Sequence, residues 1–374
     1  MSVKRILAKE IDTNQSYEVI GLDLAKDNVS FVGITTDGEV IRVDRVEYTT
    51  LIEKAGQMDR TVFGMEPCTE MNWLCNELKA LGHECRVING KAVQNQIDTY
   101  FSGQKNDLND AEAIAYLARE NRIQMIRPKS REEMILQTYT TERELMRKHA
   151  NSTLVSLKGL AQAWGLKIAK YLASEIKLIE IVDQASHIPE EIRESFKEMI
   201  KSCKTFERKA NKLQKRIEAI VVKDKMCQKI MKVPAIGPLT AAQLRVTIGN
   251  IDRFDAPKKL PAYYGLVPKN LTTGHVEKMG HITKRGDKVV RSLVVQCASI
   301  LAMLEKNDKL PQCPLTKWIK KKRKELGHCK LVVALAAKLL RIVWAILKYD
   351  KEFNLKRAGI ARCNLPNETM GKLL

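Results

Sequence analysis

Between Glu18 and Val46 the sequence sets three short apolar runs almost end to end: residues 19–22, 29–34 and, past a turn at Asp37 and Gly38, 40–46. Runs this brief are strands rather than helices, and links of a few residues join antiparallel neighbours. The chain therefore begins its folded part as a three-stranded meander, after a polar and featureless stretch over residues 1–16. Farther on the rhythm changes. A helical pattern near Leu51, a strand at 61–65, a helix from Met71 to Leu81, a strand at 85–88 and further helix through Tyr116 follow in turn. Strands first paired by hairpins and then spaced by helices describe a mixed α/β sheet covered by helices.

From residue 130 to 232 strand signals are scarce, and charged and apolar residues alternate at helical spacing, as from Phe206 to Ile217. The pattern predicts a long helical, coiled-coil-like segment broken near Pro189, with the role of a spacer or oligomerisation arm. Residues 233–242 then place Gly237 and Pro238 in a tight turn between two helical stretches. Such a turn is either helix-hairpin-helix-like, with backbone N–H groups facing a phosphate, or an ordinary turn of a mainly helical C-terminal domain. The expected division is a tail over 1–17, an α/β domain over 18–129, the helical segment over 130–232, a second domain over 233–350 and a tail over 351–374.

Charge narrows the partners. With 64 Lys and Arg against 44 Asp and Glu, the 374-residue chain carries a formal charge of +20, which favours a polyanion and nucleic acid first. The longest apolar run, residues 331–347, holds Lys338 and Arg341 at helical spacing, which fits a buried helix better than a membrane span. The nine cysteines include no C-x-x-C pair and no secretory leader is evident, so a soluble protein of a reducing, bacterial cytoplasm is expected.

Four acids stand where their chemistry would require them. Asp23 ends the first strand, Glu66 closes the strand that starts at Val62, and Asp107 and Asp110 lie three apart near a helix start and so share a face. Singly, each is ordinary capping or turn chemistry. Together, carboxylates brought to one edge repel unless cations neutralise them, and hard oxygen ligands suit Mg²⁺ or Mn²⁺. Two such ions about 4 Å apart serve phosphodiester chemistry.

The segments 21–26 (GLDLAK), 64–68 (GMEPC) and 105–113 (KNDLNDAEA) resemble one family of bacterial insertion-sequence transposases, relatives of the Piv DNA invertases. Segments 233–238 (VPAIGP), 264–269 (YGLVPK) and 280–287 (GHITKRGD) are similar to the family's C-terminal transposase domain. The resemblance implies an N-terminal RNase H-like (RuvC-like) DEDD domain whose Asp23, Glu66, Asp107 and Asp110 bind Mg²⁺. It also implies a serine hydroxyl that attacks DNA to give a covalent protein–DNA link, a bridging RNA as guide in some members, and a dimer or tetramer. Here the sequence departs from the pattern: Thr272 and Thr273 precede Gly274, and there is no serine between Ser202 and Ser292. Thr273 is the expected nucleophile because it adjoins the flexible glycine; Thr272 or an impaired copy are the other readings.

Around that hydroxyl, Lys269, Lys278, Lys284, Arg285, Lys288 and Arg291 would hold DNA phosphates. His275 and His281 could assist proton transfer. The run from Lys317 to Lys324, with Lys320 and Lys321, is a second grip with the Trp318 indole available to stack on a base, or else a solvated helix face. The leading function is a transposase or recombinase in which the carboxylates and the threonine turn meet in one centre. Its alternatives are a junction-resolving nuclease that uses metal-activated water without a covalent intermediate, and a non-catalytic nucleic-acid-binding descendant.

Overall fold

The structure, a computed structural model, describes residues 4–101, 103–104, 106–120, 125–168, 174–270, 279–310 and 312–353. It divides into two compact units, Met1–Met134 and Ile135–Leu374.

Unit 1 is built on strands β1 (Arg5–Leu7), β2 (Tyr17–Leu24), β3 (Asn28–Thr35) and β4 (Val40–Glu47). Helix α1 (Tyr48–Ala55), β5 (Val62–Met65), α2 (Met71–Ala80), β6 (Glu84–Val87), α3 (Gly90–Tyr100) and α4 (Asp107–Arg119) follow. The six strands order as β1-β4-β3-β2-β5-β6, with the expected antiparallel meander β2-β3-β4 at the centre and parallel pairs outside it. This mixed sheet is compatible with an RNase H-like domain. Residues 1–16, featureless as sequence, contain β1, which pairs in parallel with β4. Three residues are too few to show an alternation, and Arg5 joins this edge to the domain through charge rather than apolar pattern.

Helices cover both faces of the sheet. Ile20, Leu22, Phe31, Phe63 and Met65 pack with Leu51 of α1 and Leu74 of α2, while Val19, Val32 and Ile34 pack with Ile97 of α3 and Ile114 of α4. Burial on both faces is why β2 and β3 read as nearly continuous apolar runs instead of alternating ones.

Unit 2 is mainly helical. The long helix α5 (Arg131–Ala163), whose first turn straddles the division, is followed by α6 (Glu175–Asp183) and α7 (Glu190–Val221). Pro189 caps α7, at the break the sequence predicts. Within the unit, Leu157 of α5 packs with Leu178 of α6 and with Phe196 and Ile200 of α7. A larger core gathers α8 (Lys225–Met231), α9 (Pro238–Ile248), α10 (Lys259–Tyr263), α11 (Lys288–Lys306), α12 (Pro314–Glu325) and α13 (His328–Lys348). Between α10 and α11 lies an antiparallel pair, β7 (Pro268–Asn270) and β8 (Met279–Ile282). The apolar run 331–347 is α13, buried through Leu335, Leu339 and Val343, and no helix among the described residues is long and apolar enough to cross a membrane.

Candidate active site on the sheet edge

Parallel strands β2 and β5 set Gly21 opposite Gly64 and Leu22 opposite Met65. Asp23 and Glu66 are the next positions in that register, so two half-buried carboxylates leave neighbouring chains at one height and on one face, about 4.8 Å apart at the backbone. Strand alternation assigns the face: Gly21 and Asp23 share it with Val19, which packs against α3 and α4.

Helix α4 lies directly on this face, and the two glycines make that possible. A Cβ on Gly21 would fall 2.0 Å from the Ala111 carbonyl oxygen, and one on Gly64 would fall 2.5 Å from Ala118 Cβ. Arg119 Nε donates to Glu18 Oε1 at 2.8 Å, so the end of α4 lies over the start of β2 and the two run antiparallel. A strand advances about 3.3 Å per residue and a helix about 1.5 Å, so the step from Gly21 to Asp23 matches about four helical residues. That step leads back from Ala111, over Gly21, to Asp107 and from Ile114, over Gly64, to Asp110. Asp107 precedes Ala111, and Asp110 precedes Ile114, by one helical turn, so both acids prolong the stripe that faces the sheet. Asp110 is buried and Asp107 exposed. Asn106 caps the helix by accepting from the Asn109 N–H at 2.8 Å.

Charge holds α4 sideways. Glu112 is fully buried and pairs with Arg5 of β1 at 3.0 Å and with Arg42 of β4. Arg42 also donates to Asn109 Oδ1 at 3.3 Å. The helix that carries two of the acids is thereby tied to the opposite edge of the sheet from the strand that carries Glu66.

Two further groups border the acids. The position of a Cβ on Gly90, the first residue of α3, is 3.0 Å from Glu66 Oε2. The carboxylate thus rests at a helix N-terminus, where N–H groups favour an anion. Tyr48 donates its hydroxyl to the Ala25 carbonyl at 2.6 Å. Burial, and then the charges of Glu70, Cys68, Asp23 and Asp27, push that hydroxyl up to about 12, so it remains a donor through neutral pH. Its ring meets Trp73 edge-on at 5.6 Å. Among the described residues no three Asp, Glu, His or Cys side chains close into a cation cage. The set is a donor edge. Its chemistry, carboxylate oxygen throughout with two groups delivered in register, fits a hard divalent cation.

In unit 2 two chain segments cross backbone on backbone. Gly265 (φ +69°) and Gly286 (φ +70°) leave no room for a Cβ, which would stand 2.4 Å from Arg285 N and 2.0 Å from the Tyr263 carbonyl oxygen. Arg291 Nη1 donates to the carbonyls of Tyr264 at 3.1 Å and Arg285 at 2.9 Å. Part of the guanidinium that the sequence assigns to phosphate therefore clamps the crossing. Lys269, Lys284, Arg285 and Lys288 stand exposed around it, as does His281 on β8. Thr272, Thr273, His275 and Lys278 lie outside the described residues. On α12, Lys321 is exposed and Lys320 pairs with Asp308 at 3.3 Å. The Trp318 indole is not available as expected: Lys338 Nζ stands 4.8 Å from its centroid and the ring packs on the core. The turn between α8 and α9 has Ala235 at φ +63° and Gly237 as the cap of α9, with Pro238 in the first turn.

Two family profiles match this chain in the same order as its two units. One, of IS110-type DEDD transposases, spans residues 20–163 and with them all four acids. The other, described as the transposase IS116/IS110/IS902 family, spans 227–312, from α8 and the turn at Gly237 through the glycine crossing. The chain belongs to the IS110/IS116 family of transposases. A probable family 20 transposase of Pseudomonas aeruginosa is 27% identical over 334 residues, 88% of this chain and 97% of its own length. The transposase for insertion sequence element IS1111A of Coxiella burnetii is 26% identical over 351 residues, 93% and 94% of the two lengths. A pilin gene-inverting protein of Moraxella lacunata is 28% identical over 125 residues, 33% of this chain and 37% of its own.

Within this transposase the sequence singles out the four acids as candidates but not the groups that hold their elements in place. Glu112 stands two residues past Asp110 and looks like one more acid of a helix start; only its burial between two arginines separates it from the rest. Gly90 follows Asn89 and passes as a turn residue. Tyr48 and Trp73 carry no pattern that distinguishes them from core aromatics.

Proposed function

We propose that this DNA transposase cuts and rejoins insertion-sequence DNA with Mg²⁺ or Mn²⁺ held at Asp23, Glu66, Asp107 and Asp110, and with a threonine hydroxyl as nucleophile. Thr273 supplies the hydroxyl, with Thr272 as the alternative. The observation that carries this reading is the in-register pair Asp23 and Glu66 beneath the acidic first turn of α4. Once bound, the cation offsets the repulsion of the carboxylates and polarises a phosphate oxygen.

The threonine oxygen bonds to phosphorus as the bond to a deoxyribose oxygen breaks, and the hydroxyl proton passes to that leaving oxygen. A strand hydroxyl then attacks the phosphothreonine ester, which forms the new phosphodiester and returns the proton to threonine. Lys269, Lys278, Lys284, Arg285 and Lys288 hold the backbone near this step, Arg291 orders the turn beneath them, and Lys320 and Lys321 add a second grip. A bridging RNA and a dimer or tetramer that handles several DNA ends belong to the same reading, on the strength of the family resemblance.

Threonine in place of serine favours one second reading, a junction-resolving nuclease in which water attacks and no covalent link forms. The deciding experiment is strand cleavage with Mg²⁺ by purified protein that retains co-purified RNA. It compares wild type with Asp23→Ala, Thr272→Ala, Thr273→Ala and Thr273→Ser. The transposase reading expects cleavage by wild type, none by Asp23→Ala or after chelation, and a covalent adduct lost in Thr273→Ala and restored in Thr273→Ser. Cleavage that survives both alanine changes at the threonines transfers the chemistry to water. Wild type that binds DNA but never cuts it is a non-catalytic descendant.

A further inference from the structure

Helix α7 changes character halfway along. In its first half acids and bases answer one another: Arg193 pairs with Glu190, and Lys197 with Glu194 at 2.7 Å and Asp183 at 2.5 Å. From Lys201 to Arg216 seven basic residues stand against Glu207 alone, and Glu207 is taken by Lys204 at 3.1 Å.

The second half is ordered by face. Ile200, Cys203, Ala210, Leu213 and Ile217 are buried. On the opposite side Lys201, Arg208, Lys212 and Lys215 are all exposed. At about 100° per residue these four fall within a sector of about 60° and form one stripe some 21 Å long. Arg208 is 3.7 Å from Glu175 and 69% exposed, a surface pair worth little. Lys201, Lys212 and Lys215 take part in no ion pair among the described residues. Helix α5 adds to the same flank, where Arg147 donates to Asn211 Oδ1 at 2.7 Å. Nearby Arg143 is held below its ordinary basicity by burial and then by Arg147, and its buried Nε has no hydrogen-bond partner among the described residues.

Geometry and charge together choose the occupant. A second copy of this chain docked through the stripe would set lysine against lysine, which opposes rather than supports association. A chain of phosphates matches it, because one strand of a duplex offers a charge about every 3.4 Å along the axis and 21 Å spans about six of them. We infer that the exposed stripe of α7, Lys201, Arg208, Lys212 and Lys215, is a track for the phosphate backbone of duplex DNA. It lies outside both family profiles, which end at residue 163 and resume at 227. The inference rests on the DNA reading above only for the identity of the polyanion.

The test is the salt dependence of binding to a labelled duplex of about 40 base pairs and arbitrary sequence, in the presence of chelator so that no strand is cut. The variant Lys201→Gln, Lys212→Gln, Lys215→Gln is compared with wild type and with a scattered control of equal charge, Lys9→Gln, Lys79→Gln, Lys177→Gln. All six side chains are exposed, and circular dichroism checks that each protein folds. Each lost phosphate contact lowers the slope of log K against log salt by about 0.9, so the stripe variant is expected to lose about 3 units and the control less than 1. A double-stranded RNA of the same length forms the second arm. Equal slopes for stripe variant and control overturn the track, as does a loss confined to RNA. Wild type that binds no duplex DNA overturns the DNA reading and the track with it, whereas wild-type binding with an unchanged stripe slope removes the track alone.

Discussion

Each unit of this transposase depends on a pair of glycines, and the two pairs work differently. Gly21 and Gly64 face one another across β2 and β5 in extended backbone, and what they contribute is space: the carbonyl of Ala111 and the Cβ of Ala118 occupy the places their side chains would take. Gly265 and Gly286 contribute space and handedness, since both sit at positive φ while the backbone of one segment crosses the other. The acidic site is therefore made by pressing one regular element onto another, and the basic turn by an irregular crossing. The first kind of construction fails when an element is lifted. The second fails when a turn changes its sense.

The largest effect is expected from Gly21→Ala. Its Cβ would meet a helix carbonyl that is itself hydrogen-bonded and cannot swing aside, so the change should cost about 3 kcal/mol or more. A urea midpoint equal to that of wild type would refute the contact that brings α4 onto the sheet. Gly286→Ala comes next, at about 2–3 kcal/mol from left-handed strain plus the close Tyr263 carbonyl. Should it cost as much when its neighbour Arg291 no longer clamps the turn, in Arg291→Ala, handedness alone governs that region.

Glu112→Gln keeps the shape and removes the charge between Arg5 and Arg42. The loss should be about 2 kcal/mol, below the range for fully buried pairs, because Arg5 is 46% and Arg42 18% exposed. Unfolding followed by a probe in unit 1 reads it, and no loss would mean that apolar packing alone seats α4. In unit 2 the comparable charge works at a helix end. Asp224 Oδ1 accepts from the Cys227 N–H at 2.8 Å and Oδ2 from Arg245 Nε at 3.0 Å. Burial pushes its carboxyl up, but those two partners outweigh burial and hold it below the ordinary range. A depressed folded pKa stabilises the fold above the ordinary carboxylate pKa and ceases to do so as pH falls through the folded value. Asp224→Ala should thus cost about 1 kcal/mol at pH 7 and progressively less as pH falls through the depressed folded pKa, and a pH-independent difference would contradict the ion pair.

The smallest effect on stability belongs to Gly90→Ala. A Cβ 3.0 Å from Glu66 Oε2 shifts that carboxylate by a few tenths of an ångström while α3 gains a better helix former. Stability should stay within about 0.5 kcal/mol of wild type while DNA cleavage falls roughly tenfold. Cleavage at the wild-type rate would show that Glu66 does not need that position.

The sequence made the meander and the alternating half of unit 1 legible because short links and apolar runs are local signals. It located Asp23 and Glu66 at strand ends and Asp107 and Asp110 at a helix start for the same reason. It could not reveal β1, whose three residues are paired to β4 across more than thirty positions, nor the Glu112 cluster, whose members come from three distant segments. Trp318 shows the opposite failure. An indole among lysines looks presented to a ligand, but the helix turns it inward and Lys338 covers it. Local composition reports which groups are near in the chain; facing is decided by packing that sequence order does not contain.

The contacts of α4 at Ala111, Glu112, Ala115, Ala118 and Arg119 lie after the two acids it carries, while the Arg42 hydrogen bond to Asn109 falls between them. The helix is gauged from its far side, like a beam seated at one end so that the other overhangs at a set height. Lengthening or shortening the chain between Tyr100 and Asn106 leaves that height unchanged. A single residue inserted between Asp110 and Ala111 swings both acids by about 100° and slides them about 1.5 Å. Relatives at about a quarter identity should therefore differ in the length of the segment leading into this helix and agree, residue for residue, in the span from Asp107 to Arg119.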